Sequence, residues 1–359
     1  MKKKLLPVLV MGIASAWSMG VHASVTFDFQ NGQVIDVGSF DWTQTSFVAV
    51  NGVQAVDNFA ADDTCPNNSC DFTILSHASL TGVKDTTGAD VTINGLGSDF
   101  EITVTFGFTE TVTGLSGAPG AQGTLSTFET KPNSGEFLEV YYDTAPNSVD
   151  LSGSGFNDGQ VILAGSLVGN SFGNFTLTND DPVQFDQFPA GNTPTSDNYG
   201  DGSNIPGQSQ LTLSGFGTQN LIRFDSLTQN NSFFLSQLDT FGFNFNNVSI
   251  GLPFLQTNPS DCFTNSTAGF GANVASGTGP CTAAHVDGLY SAQGADGNGG
   301  YVPNTGNINA TPGEQDFVAQ TDYNTGFDSV AVPEPASLAL LGIGLIGLGF
   351  TRSRKRNIA

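Results

Sequence analysis

Basic side chains are almost missing from the body of this chain. Of 359 residues, only ten are Lys or Arg, against 33 Asp or Glu. Three of the ten stand at positions 2–4 and four among the last eight residues. Lys84, Lys131 and Arg223 are all that remain between, facing 32 acids once Glu334 near the C-terminus is set aside. A body this acidic repels phosphate backbones and anionic headgroups, which excludes nucleic acid as a partner. Histidine is scarce too: beyond His22 there are only His77 and His285, and neither sits in a recognisable nucleophile setting. There is no G-x-S-x-G elbow, no HExxH, no P-loop and no strand-then-helix GxGxxG. Carboxylate pairs such as Glu136/Glu139 or Asp180/Asp181 can be drawn as a glycosidase dyad, which needs about 5–9 Å between carboxyls. So acidic a chain produces such pairs by chance. The expectation is a protein that is not an enzyme.

Cysteine is rare as well. The four fall into local pairs, Cys65 with Cys70 and Cys262 with Cys281. The CxxxxC spacing does not fit the usual zinc knuckle, and an oxidising compartment makes disulfides the better reading. Three pairings are open to four cysteines; short loop closure favours Cys65–Cys70 and Cys262–Cys281. Helical periodicity with caps is missing throughout the interior of the chain.

Phenylalanine and glycine are abundant, with 29 and 45 copies. Runs of four to eight β-formers recur between Gly, Asn, Asp and Pro punctuation, the clearest at 25–29, 71–75, 100–108, 136–142, 161–165, 175–178, 211–213, 221–224 and 241–248. In the 100–108 run Phe100, Ile102, Val104, Phe106 and Phe108 share one face, and Glu101, Thr103 and Thr105 the other. That pattern predicts one core face and one wet face in an antiparallel sheet. Phe241, Phe243 and Phe245 alternate in the same way. With no helices to cover these rows, a second sheet must do so. The predicted fold is therefore all-β: an antiparallel, jelly-roll-like β-sandwich over residues 24–251, with a distorted barrel as the alternative. Residues 252–331 read as a loop-rich segment holding the Cys262/Cys281 pair and a possible final strand at 315–323. Residues 182–209, with four prolines, form a second long loop.

Calcium is the most plausible ion. Asp197, Asp201 and Asn204 offer oxygens in a Gly-rich loop, and Asp62-Asp63 and Asp180-Asp181 are placed at strand connections. The spacing does not match an EF-hand, and an ordinary Asx-rich turn is the competing reading.

The two ends carry the strongest signals. Lys2, Lys3 and Lys4 precede a short apolar core and a Val21-His22-Ala23 cleavage site, the layout of a signal peptide over residues 1–23. At the other end Val332, Pro333, Glu334 and Pro335 precede an uncharged apolar run, Ala336 to Phe350, and then Arg352, Arg354, Lys355 and Arg356. At about 1.5 Å per residue this run falls short of a bilayer core of about 30 Å, so a single anchor helix here holds only marginally. The basic cluster should stay cytoplasmic, leaving the body outside.

This tail over residues 332–359 resembles the PEP-CTERM sorting signal of Gram-negative bacteria, read by the membrane enzyme exosortase. The resemblance implies export across the inner membrane, transient anchoring, processing, and release to the cell surface or extracellular matrix. Residues 136–143, 151–165 and 316–322 are similar to segments of exopolysaccharide-linked PEP-CTERM proteins, including flocculation-associated ones. The implied function is structural or adhesive, in matrix and cell aggregation with exopolysaccharide. Two alternatives stand: a lectin-like carbohydrate-binding module, with calcium as its aid, using Trp42, Tyr141, Tyr142 or Tyr199, and a polysaccharide hydrolase.

Overall fold

In the computed structural model, the described residues are 24–149, 155–184, 211–245, 250–254, 290–291, 302–303 and 316–329. The alternating Phe rows do become strands, and their Phe faces are buried without exception. The chain runs through β1 (Val25–Asp28), β2 (Val34–Trp42), β3 (Thr45–Val50), α1 (Gly52–Ala61), β4 (Asp71–Asp85) and β5 (Glu101–Ser116). It continues through β6 (Leu125–Thr130), β7 (Phe137–Asp143), β8 (Gln160–Val168), β9 (Phe172–Gln184), β10 (Leu211–Gln219), β11 (Ile222–Gln229), β12 (Leu238–Asn244) and β13 (Ile250–Leu252). A separate ribbon pairs β14 (Tyr290–Ser291) with β15 (Val302–Pro303), and β16 (Phe317–Thr321) and β17 (Asn324–Ser329) close the series.

The β-sandwich expectation is corrected to a barrel. The strands β5-β7-β8-β11-β12-β17-β2-β4 form a closed antiparallel ring of eight, because β4 pairs back onto β5 from Asp71↔Thr111 to Ser79↔Thr103. The cause lies in the two longest of these strands, of 15 and 16 residues. Each serves two neighbours on one edge. β4 pairs β3 with residues 73–76 and β2 with residues 80–85. β5 pairs β7 with residues 101–107 and β6 with residues 110–116. One half of each long strand therefore belongs to the barrel. The other half belongs to a second curled sheet, ordered β16-β3-β4-β5-β6-β9-β10-β13. The edges of that sheet meet where Gln320 Nε2 donates to the carbonyl of Pro253 at 3.2 Å.

The sheet does not end at Gly251. Beyond the strand expected at 315–323, the chain turns and adds β17. That strand pairs β12 from Leu238↔Ser329 to Asn244↔Asn324, and β2 from Ser39↔Gly326 to Asp41↔Asn324. It is the strand that shuts the ring. An eight-stranded barrel leaves an interior that side chains just fill. Here the filling is aromatic. Phe243 packs on Phe106, with ring centroids 4.5 Å apart, and on Tyr323 at 4.9 Å. Phe40 packs on Phe327 at 5.1 Å, and Trp42 Nε1–H donates to Thr325 Oγ1 at 2.6 Å.

Two further expectations are corrected. The face of β5 predicted to be wet is buried: Glu101, Thr103 and Thr105 are each at most 5 % exposed. The connection after β7 lies over them. Glu101 accepts hydrogen bonds from the Asn147 and Ser148 N–H groups and from Ser148 Oγ, while Thr103 Oγ1 donates to the Phe156 carbonyl. Glu101 and Thr103 thus belong to a hydrogen-bonded buried layer rather than a solvated one, while Thr105 Oγ1 is buried with no hydrogen-bond partner among the described residues. Helix α1 was not expected. Its N-cap, Asn51, is left-handed with φ 62° and makes no side-chain cap. A distant residue holds the start instead: the Asn51 N–H donates to Asp316 Oδ1 at 2.6 Å. That carboxylate also favours the helix dipole. No local rule could have found a helix started by a residue 265 positions away.

Candidate functional site

Inside the curled second sheet lies a cavity of about 340 Å³. Ligand pockets typically run from about 300 to 1,000 Å³. Its walls are mainly apolar, with Phe47, Phe72, Phe108, Phe128, Phe175 and Phe317 among them. The rings support one another, Phe72 against Phe128 at 5.2 Å and Phe175 against Phe317 at 5.0 Å. Helix α1 contributes Gly52, Val53, Val56 and Asp57 to the lining. Gly52 has to be small: a Cβ there would meet the Ala49 Cβ at 2.8 Å.

One ionisable group is buried in this wall. Glu110 is 3 % exposed, and burial pushes its carboxyl up to about 8 although a Gln219 hydrogen bond pulls the other way. Its Oε1 has no hydrogen-bond partner among the described residues, and neither has Thr321 Oγ1, which lines the same cavity. Burial also raises the Asp57 carboxyl on the helix wall. Glu110 escaped the sequence reading although its signal was present. Along β5 the core-facing series Phe106, Phe108 continues with Glu110 and then Val112, all buried. An acid in an apolar row should have marked a site.

The residues singled out from sequence fare differently. Cys65 and Cys70 are bonded, with an S–S distance of 2.08 Å, across a 3₁₀ turn at Pro66–Asn68. Cys262 and Cys281 lie outside the described residues, as do Asp197, Asp201 and Asn204. Asp62 closes an Asx turn, with Oδ1 accepting from the Thr64 N–H and Oγ1, and these bonds hold its carboxyl below the ordinary range. Asp180 and Asp181 lie within β9 rather than in a connection. Among the described residues no group of three or more His, Cys, Asp or Glu could hold a metal ion. Glu136 accepts from the Asn133 and Ser134 N–H groups, and Glu139 from the Tyr141 hydroxyl. Trp42 and Tyr141 are core residues, so they are not available to stack on a sugar. Tyr142 is half-buried between Phe100 and Phe233, and Tyr199 lies outside the described residues.

The last strand of the barrel ends at Ser329. Residues 331–355, which begin almost at once after it, match the PEP-CTERM protein-sorting motif. The chain carries a PEP-CTERM sorting signal. Such signals are recognised by exosortase, and they mark export and cell-surface or extracellular sorting in Gram-negative bacteria. No curated protein and no solved structure matches the chain. Val332, Pro333, Glu334 and Pro335 fall inside the matched stretch, as do Arg352, Arg354 and Lys355; Arg356 lies just past it. All of them, the expected signal peptide and the anchor helix lie outside the described residues. Among the described residues no helix is long and apolar enough to cross a membrane.

Proposed function

We propose that this is a non-catalytic, cohesive protein of the extracellular matrix, acting with exopolysaccharide in cell aggregation. The observation that carries the reading is the PEP-CTERM motif placed directly after the strand that closes the barrel. Exosortase processes the tail, and the barrel reaches the surface with no further domain between fold and signal. Charge supports the role. Of the three basic residues in the body, Lys84 pairs with Asp90 and Lys131 with Asp71, each at 2.5 Å. The excess of acids then keeps molecules apart until divalent cations, calcium included, bridge them to one another or to an anionic polymer.

The test is a strain whose chromosomal copy ends at Ala331. Cell aggregation and surface retention of the protein should both be lost, while the secreted barrel stays folded by circular dichroism. In the intact strain a chelator should disperse the aggregates. Aggregation that persists without the tail would refute the cohesive role, and persistence in chelator would remove cation bridging.

A further inference from the structure

We propose that the cavity of the second sheet binds an uncharged amphiphile, an apolar chain or ring of medium size bearing one hydrogen-bond acceptor. This goes beyond the matrix role and does not depend on it. Three observations point to the ligand class. The volume of about 340 Å³ suits a molecule of roughly ten to twenty heavy atoms. Most of the lining surface is apolar, with Phe the commonest residue, so most of the ligand surface should be hydrocarbon. Two buried polar atoms of residues on that lining, Glu110 Oε1 and Thr321 Oγ1, have no partner among the described residues. An orphaned buried polar group is unfavourable, and a ligand oxygen that reached either of them would relieve it.

The charge of the headgroup follows from the acid. With a carboxyl pushed up to about 8, Glu110 is protonated at neutral pH and can donate to a ligand carbonyl or hydroxyl. A carboxylate ligand would add a negative charge to a wall that already holds Asp57. An ammonium ligand is the rival, because it would pair with ionised Glu110. Few other groups bear on the site. Asp57 on α1 is the other titratable group among the described residues lining the cavity. On the flanking strands Asp71 and Glu129 stand opposite Thr111, one residue out of phase with Glu110, and Asp71 is paired with Lys131. Asp316 and Asp322 flank β16, where Asp316 is committed to the Asn51 N–H.

The experiment uses the exported protein recovered from the cell surface, free of detergent. Fluorescence of N-phenyl-1-naphthylamine should rise saturably, and 1-decanol should displace it at pH 6.5 at least tenfold more strongly than decanoate or decylammonium. Decanol affinity should fall about tenfold per pH unit above pH 8, as Glu110 ionises. Glu110→Gln keeps a donor but cannot ionise, so it should flatten that pH profile. Thr321→Val, nearly isosteric, should weaken decanol several-fold with the circular dichroism spectrum preserved. Preferential displacement by decylammonium would overturn the neutral headgroup. Absence of saturable probe binding in the folded wild-type protein would overturn the site itself, as would equal displacement from wild type and Thr321→Val together with an unchanged pH profile in Glu110→Gln.

Discussion

A chain ending at Gln315 should fail to form the barrel, whereas one ending at Ala331 should fold. The difference is residues 316–331, which include β16 and β17. Without β17 both β12 and β2 lose a neighbour, and the ring opens along two bare edges. The core also loses Val318, Tyr323 and Phe327, each at most 5 % exposed. At about 1.5–3 kcal/mol for each large apolar side chain, that burial alone approaches the 5–15 kcal/mol by which domains are stable. Trp42 would lose its hydrogen bond to Thr325, and α1 its contact with Asp316. Circular dichroism and a thermal melt of the two chains check this. A cooperative melt from the shorter chain would mean that residues 24–254 fold alone and that β17 is an accessory strand.

The second large effect is the dependence of stability on pH through Glu110. Its folded-state carboxyl titrates near 8, against an ordinary value of 4.5. The folded state therefore holds a proton that the unfolded state has released. By linkage, stability falls as pH rises through this window. Below about pH 4.5 both states are protonated and the group is neutral in its effect. From there to about pH 8 the wild type loses ground steadily, and above 8 the loss levels off. At 1.36 kcal/mol per unit the full difference is on the order of several kcal/mol. Glu110→Gln removes the proton and keeps the shape, so its stability relative to wild type should increase between pH 4.5 and 8. Urea denaturation of both proteins across that range separates this group from the general repulsion of the acidic surface. A difference that does not change with pH would show that Glu110 is hydrated or paired in solution.

What was legible in the sequence was whatever depends on near neighbours. The alternation in residues 100–108 located β5 and its core face. The β-former runs located β1, β4, β7, β8, β9, β10, β11 and β12, though they undershot the lengths of β4 and β5. Cys65–Cys70 closes a short loop, and the bond is present. Closure was not legible. Sandwich and barrel share the same alternating strands and differ in which edges meet, here Phe40 with Thr325 and Ile74 with Phe108. Those pairings depend on twist and on chain segments far apart. The burial of Glu101 was hidden for the same reason, since its partners Asn147 and Ser148 come from another connection. Glu110 differs: its place in the Phe row was plain, and only the habit of reading acids as surface residues concealed it.

The surface-sorting account rests on a tail that is read and removed once the barrel is outside. The intact mass of the protein taken from the cell surface tests this most directly. The account predicts a species that begins at or near Ser24 and ends near Pro335. A surface species that still carries Arg352, Arg354, Lys355 and Arg356 would contradict it.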